Sequence, residues 1–181
     1  MEVTLTRRDA MEALAALGVA GAGGGLTLWL TDENREPTED GPLSGHDRAT
    51  LAAAAEVLYP DDVTGVDEFV QQYVDGRATA DEHAEGLTGT LAYLDEYCES
   101  WFGERFADLE PAERDEALRR MHADEAHPDP DGSDVERLRY YVINDLLFAL
   151  YASPTGGRLI GIDNPPGHPG GLSSYQRGGE P

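Results

Sequence analysis

The run Tyr140-Tyr141-Val142-Ile143-Asn144-Asp145-Leu146-Leu147-Phe148-Ala149-Leu150-Tyr151 constrains the chain more than any other segment. Wound as a helix, it carries apolar side chains on nearly every side, and such a helix has no face to offer to water. It must be the buried centre of a helical fold or be covered by a partner. Just upstream, Ser133-Asp134-Val135-Glu136 has the spacing of a capping box, which predicts a helix over Asp134–Ala152. Asn144 and Asp145 interrupt the apolar run and need partners, because an unpaired buried charge is costly.

Four further helices follow from apolar periodicity. Ser44–Tyr59 places Leu51, Ala54, Ala55 and Leu58 on one face; Ser44 can cap its start and Pro60 ends it. Val66, Phe69, Val70, Tyr73 and Val74 form an i, i+3, i+4, i+7, i+8 stripe that closes near Gly76. A long helix is predicted over Ala80–Phe102, with Leu87, Leu91, Leu94, Cys98 and Trp101 along its buried face. Leu109-Glu110-Pro111 opens a fourth helix, with proline in the first turn, that runs to about His122 through Leu118 and Met121. His122 to Asp134 reads as a polar loop. No strand-period alternation competes, so residues 44–152 are expected to form a compact all-α domain of about five helices. Cys98 lies on an apolar stripe and reads as a small buried hydrophobe. Being the only cysteine, it excludes an internal disulfide and a thiolate metal cage.

The charge narrows the function classes. Thirteen basic residues, all arginine, face 36 acidic ones, for a net charge of −23 and a pI near 4.3. That excludes ordinary nucleic-acid binding, which needs cations to neutralise phosphates, and argues against docking on an anionic membrane surface. With 40% hydrophobic residues the chain is not a disordered acidic tail. The balance suits a folded protein in concentrated salt, where screening removes self-repulsion, so a halophilic source is expected. The acidity is uneven. Residues 44–152 carry −18, residues 1–30 only −1, and residues 153–181 are neutral. Residues 31–43 are acidic and punctuated by Pro and Gly, as a linker would be.

At the N-terminus, Thr6-Arg7-Arg8-Asp9-Ala10-Met11 precedes Ala13–Leu30, a stretch without charge that contains five glycines. An arginine pair followed by a weakly hydrophobic segment resembles a twin-arginine export signal, the route that carries folded proteins across a membrane. Residues 1–30 are therefore expected to export the protein, with Arg7 and Arg8 as the recognised pair. As a helix the uncharged stretch would span about 27 Å, close to the hydrocarbon thickness, so it could also remain as an anchor. No Ala-x-Ala cleavage site and no lipid-accepting cysteine follow it.

Apparent catalytic motifs do not hold together. His122 and His127 are five residues apart, so they diverge around a helix, and Pro128 closes the segment; a small metal-dependent hydrolase using them is a weak alternative. Asp129-Pro130-Asp131-Gly132-Ser133-Asp134 has its glycine in the fourth position and lacks a closing glutamate at calcium-loop spacing. There is no phosphate-binding glycine loop, dinucleotide fingerprint or haem-attachment motif. The chain reads as a non-enzyme with no cofactor, metal or catalytic residue of its own.

Residues 153–181 hold Gly or Pro at 13 of 29 positions, which argues against a helix or sheet of their own. They nevertheless carry Leu159, Ile160, Ile162, Leu172 and Tyr175. An uncharged apolar strip on so acidic a protein is expected to be extended and covered, by its own helices or by another subunit.

Taken in order, several pieces resemble the gluconate 2-dehydrogenase subunit 3 family, the small or gamma subunit of that membrane-bound enzyme. They are the twin-arginine start, Leu58-Tyr59-Pro60 with Gly65-Val66-Asp67-Glu68-Phe69-Val70, Leu109-Glu110-Pro111-Ala112-Glu113-Arg114, the Tyr141–Tyr151 helix, and Gly161 through Pro165-Pro166-Gly167-His168-Pro169 to Tyr175. The resemblance spans roughly residues 44–176. It implies an accessory subunit paired with a large FAD-containing dehydrogenase of the glucose-methanol-choline type, in complexes that often add a cytochrome c. FAD and haem c would belong to those partners. The small subunit would help the large one mature and escort it through the twin-arginine translocase, leaving the protein extracytoplasmic and membrane-associated. Arg158, Leu159, Gly161, Pro165, Pro166, Gly167, His168, Pro169 and Tyr175 are the candidate partner interface. A stand-alone exported helical protein with a self-packed tail is the alternative.

Overall fold

In the computed structural model, which describes residues 3–17, 42–78 and 81–161, helices account for nearly all of the secondary structure. In chain order these are α1 (Arg7–Ala16), α2 (Gly45–Leu58), α3 (Val66–Arg77), α4 (Asp81–Phe102), a 3₁₀ turn at Phe106–Asp108, and α5 (Pro111–Arg120). There follow α6 (Asp134–Leu138), a π-helical stretch (Arg139–Asn144), α7 (Asp145–Ala152) and α8 (Pro154–Leu159). The expected all-α class holds. The strands among the described residues are two-residue pieces, β1 (Val3–Thr4) and β2 (Val63–Thr64), paired in parallel with Val3 opposite Val63.

Local chemistry explains the boundaries. Ser44 caps α2 by accepting the Asp47 amide at 3.1 Å, while the Asp47 carboxylate accepts the Ser44 amide at 2.7 Å. The same reciprocal arrangement opens α6, where Glu136 accepts the Ser133 amide at 2.8 Å. Pro111 occupies the first turn of α5, and Glu110 with Glu113 closes the cap. At the other end of α4, Gly103 adopts φ +87° and donates to the Cys98 and Glu99 carbonyls, a left-handed helix stop.

The predicted Asp134–Ala152 helix forms over those residues but is not uniform. Its middle widens into the π stretch, where the consecutive residues Tyr141, Val142 and Ile143 are all buried. The stretch lies against α4, and Gly86 makes room for it: a β-carbon there would come within 2.3 Å of the Tyr141 ring. A π turn of this kind inserts an extra residue and re-aims the side chains that follow. Below it, the Tyr59 hydroxyl donates to the Leu146 carbonyl at 2.8 Å, joining the end of α2 to α7. Arg114 joins α5 to α2 and to the 3₁₀ turn, donating to Glu56 at 2.7 Å and to the Ala107 carbonyl at 2.8 Å.

Two expectations are corrected. Leu87, Leu91, Leu94 and Cys98 are buried, but Trp101, read as the next residue of the same stripe, is 60% exposed. The core past Cys98 is occupied instead by Phe106, which is fully buried and whose amide donates to Asp95 at 3.1 Å. The second correction concerns the tail. Residues 153–181 were expected to carry no helix, yet Pro154–Leu159 is one, for reasons given below.

Because Phe106 rather than Trp101 fills the core, Phe106→Ala should cost about 3–5 kcal/mol. Trp101→Ala should cost less than about 1 kcal/mol. Urea titrations of the two variants give the comparison, and the reverse order would return Trp101 to the core.

Candidate functional site

The arginine pair opens α1. Thr6 caps this helix: its hydroxyl accepts the Asp9 amide at 3.2 Å, and the Asp9 carboxylate accepts the Thr6 amide at 3.0 Å. Arg7 and Arg8 follow the cap, with side chains 47% and 87% exposed. Arg7 lies 3.7 Å from Glu68 and Arg8 3.1 Å from Glu12. Exposed pairs like these contribute about 0–1 kcal/mol, so both guanidinium groups are cheaply released to a binding partner.

The opposite face of α1 is inside the domain. Ala10, Ala13 and Leu14 are buried, and the helix packs chiefly on α3 and then on α7. Asp9 is buried as well, and its second oxygen accepts the amide of Thr155 at 3.1 Å. One carboxylate thus caps α1 and the start of α8. Ser153 completes the second cap by accepting the Gly156 amide at 2.9 Å while donating to the Leu150 carbonyl at 2.6 Å. Glycine is required at 156, since a β-carbon would lie 2.0 Å from that carbonyl. Proline in the first turn, a serine cap and a buried carboxylate at the N-terminus explain why a Gly-rich segment forms a helix here.

Of the candidate interface, Arg158 is exposed and donates to the Thr155 hydroxyl at 3.2 Å, Leu159 is half-buried against the core, and Gly161 is exposed with φ +77°. Ile160 between them is 53% exposed. Helices α1 and α8 touch, so the structure brings the segments bearing Arg7, Arg8 and Arg158 to one region. Pro165, Pro166, Gly167, His168, Pro169 and Tyr175 lie outside the described residues, as do most of the 31–43 linker and residues 18–30 of the uncharged stretch. No helix among the described residues is long and apolar enough to cross a membrane.

The polar pair in the central helix finds partners at Asp145. Its carboxylate accepts from Arg77 Nε at 3.1 Å, and His83 Nε2 lies 2.8 Å from the same oxygen, too oblique for a hydrogen bond. The His83 ring lies against Tyr141, with ring centres 5.3 Å apart and planes tilted by 54°. Tyr73 shares this interior, and burial followed by the charge of Asp145 pushes its phenol upward. Burial alone is the main cause of the same shift at Tyr59. Arg77 closes α3, His83 belongs to α4 and Asp145 starts α7, so one carboxylate ties three helices together.

Elsewhere the groups with chemical potential are structural or dispersed. Burial, then the charge of Asp95, pushes the Cys98 thiol up to about 12, which keeps it protonated and unreactive at neutral pH. His122, at φ +55°, and His127 are both exposed in the turns after α5. No group of three His, Cys, Asp or Glu side chains among the described residues could hold a metal ion. An open concavity is lined by Tyr97, Trp101, Arg119, Arg120 and neighbouring carboxylates, with the Arg120 guanidinium 4.8 Å from the Trp101 ring centre.

Residues 45–170 match the family described as gluconate 2-dehydrogenase subunit 3. The chain belongs to this family. No curated protein and no solved structure matches it. The family match covers the helices from α2 to α8 and continues into the Pro165–Pro169 stretch, whereas β1 and α1 lie ahead of it. What sequence reasoning missed is the joint between the two ends. The Thr6–Asp9 spacing was a visible capping signal, but nothing in the linear order pairs Asp9 with Thr155, 146 residues away.

Removing the Asp145 carboxylate would leave the half-buried Arg77 guanidinium without its ion-pair partner, beside the buried His83 ring. Asp145→Ala should therefore destabilise the fold by about 3–5 kcal/mol, as read by urea denaturation. A loss below about 1 kcal/mol would show the cluster to be solvent-screened.

Proposed function

We propose that this protein is a non-catalytic accessory subunit and export escort of an FAD-dependent dehydrogenase of the glucose-methanol-choline type. The observation that carries the reading is the family match, which runs through the helical body and on into the net-neutral C-terminal strip. In this reading FAD belongs to the large subunit, and haem c to a cytochrome subunit where one is present. Arg7 and Arg8, exposed at the start of a capped helix, address the twin-arginine translocase and carry the flavoprotein along. The strip that begins at Arg158 and Leu159 and continues through Gly161 to Tyr175 holds the partner. The acidic, lysine-free body suits an extracytoplasmic, membrane-associated life in concentrated salt. The packing of Pro154–Leu159 on its own domain gives some support to the second reading, a stand-alone exported protein with a self-packed tail.

Replacing both Arg7 and Arg8 by Lys should strand this protein and its flavoprotein inside the cell, as fractionation and dehydrogenase assay would show. Continued export of the flavoprotein would contradict the escort role. Truncation after Gly161 leaves every described helix in place, so circular dichroism should be unchanged while co-purification with the flavoprotein is lost. Undiminished co-purification would sink the wrapping strip and favour the stand-alone reading.

A further inference from the structure

We infer that residues 3–16, the segment bearing the arginine pair, stay in the mature protein as a permanent packing element clamped between the domain and its C-terminal helix. The inference rests on the fold. Only its bearing on export depends on the reading above.

Four observations converge on it. First, Leu5, Ala10, Ala13 and Leu14 are buried against the body, so removing the segment would expose the surfaces of α3 and α7 that it covers. Second, the body holds the segment by its backbone: the Val3 amide donates to the Asp62 carbonyl and the Leu5 amide to the Thr64 carbonyl, both at 2.8 Å.

Third, the body carries two glycines shaped to receive it. Gly76 sits within α3, where glycine costs about 1 kcal/mol relative to alanine. A β-carbon there would lie 2.3 Å from a Leu14 methyl, so the glycine is the seat of that leucine. Gly65 adopts φ +75°, and a β-carbon on it would lie 2.3 Å from the Leu5 carbonyl oxygen. A body that shed residues 3–16 would keep both costs with nothing to offset them.

Fourth, Asp9 closes the clamp from the far end of the chain through the Thr155 amide. With Asp9 gone, α8 would lose the carboxylate at its N-terminus and α1 half of its capping box. The family match begins at Gly45, so the clamped segment lies ahead of the matched region. A cut within the apolar stretch would sever the clamped segment from the body, so the inference requires that stretch to stay uncut, with the arginine pair displayed from the surface of the completed domain.

The full-length protein, produced in its own cell and recovered from whichever compartment it accumulates in, provides the test. Trypsin cuts after Arg8 and Arg35 should yield the peptide Asp9–Arg35 in equal amount to peptides of the helical body, and the intact mass of the undigested protein should include residues 3–16. A mature N-terminus beyond Leu5 would overturn the inference. The compartment reports separately on export. In the purified full chain, Asp9→Ala and Gly76→Leu should each lower the melting midpoint by about 5 °C or more. Asp9→Ala should also speed hydrogen exchange at residues 155–157 on the order of tenfold. Unchanged midpoints and exchange in both variants would equally overturn it.

Discussion

The fold is organised around one carboxylate. Asp145 is half-buried at the start of the most apolar helix among the described residues, and Arg77 and His83 meet it from α3 and α4. A charge in that position is tolerable only while its partners stay in place, so the three helices are fixed relative to one another by the cost of separating them. The π stretch just before Asp145 belongs to the same constraint: the carboxylate that follows it faces α3 and α4, while Tyr141 packs at a tilt against His83 and fills the gap at Gly86. Apolar contacts supply most of the driving force for folding, and this ionic cluster joins three of the helices that they bring together.

A second carboxylate performs the corresponding task at the periphery. Asp9 satisfies the amides at the start of α1 and of α8, joining two chain ends that are weak structure-formers alone. Isolated helices as short as α1 and α8 are marginal in water, and tertiary support decides whether they exist. Both are supported here by the same side chain and by close approach at Gly76 and Gly156. The arginines that would address an export machinery and the strip that would meet a partner therefore leave from neighbouring places on one rigid body.

The acidity of the body fits this division. Several of its carboxylates serve as caps or as partners of arginines, among them Asp47, Asp75, Asp95 and Glu136. Others, such as Glu104 and Glu110, are exposed to solvent.

The all-α class, the boundaries of α2 through α5 and the need of Asp145 for a partner were legible in the linear sequence, because capping spacings and 3.6-residue periodicity are local signals. Three outcomes were decided only in three dimensions. Trp101 continues the stripe of Leu94 and Cys98 in sequence, but at that depth the core is closed by Phe106, a residue of the next turn. Pro154–Leu159 looked too rich in glycine to be helical, and it became a helix because Asp9, 146 residues earlier, supplies its N-terminal charge. The start of the chain read as an export signal, cleaved or kept as an anchor; that Ala10, Ala13 and Leu14 are buried on the body while Arg7 and Arg8 face outward is not visible in a string of letters. Periodicity tells which face of a helix is apolar; only the tertiary structure shows what that face is pressed against.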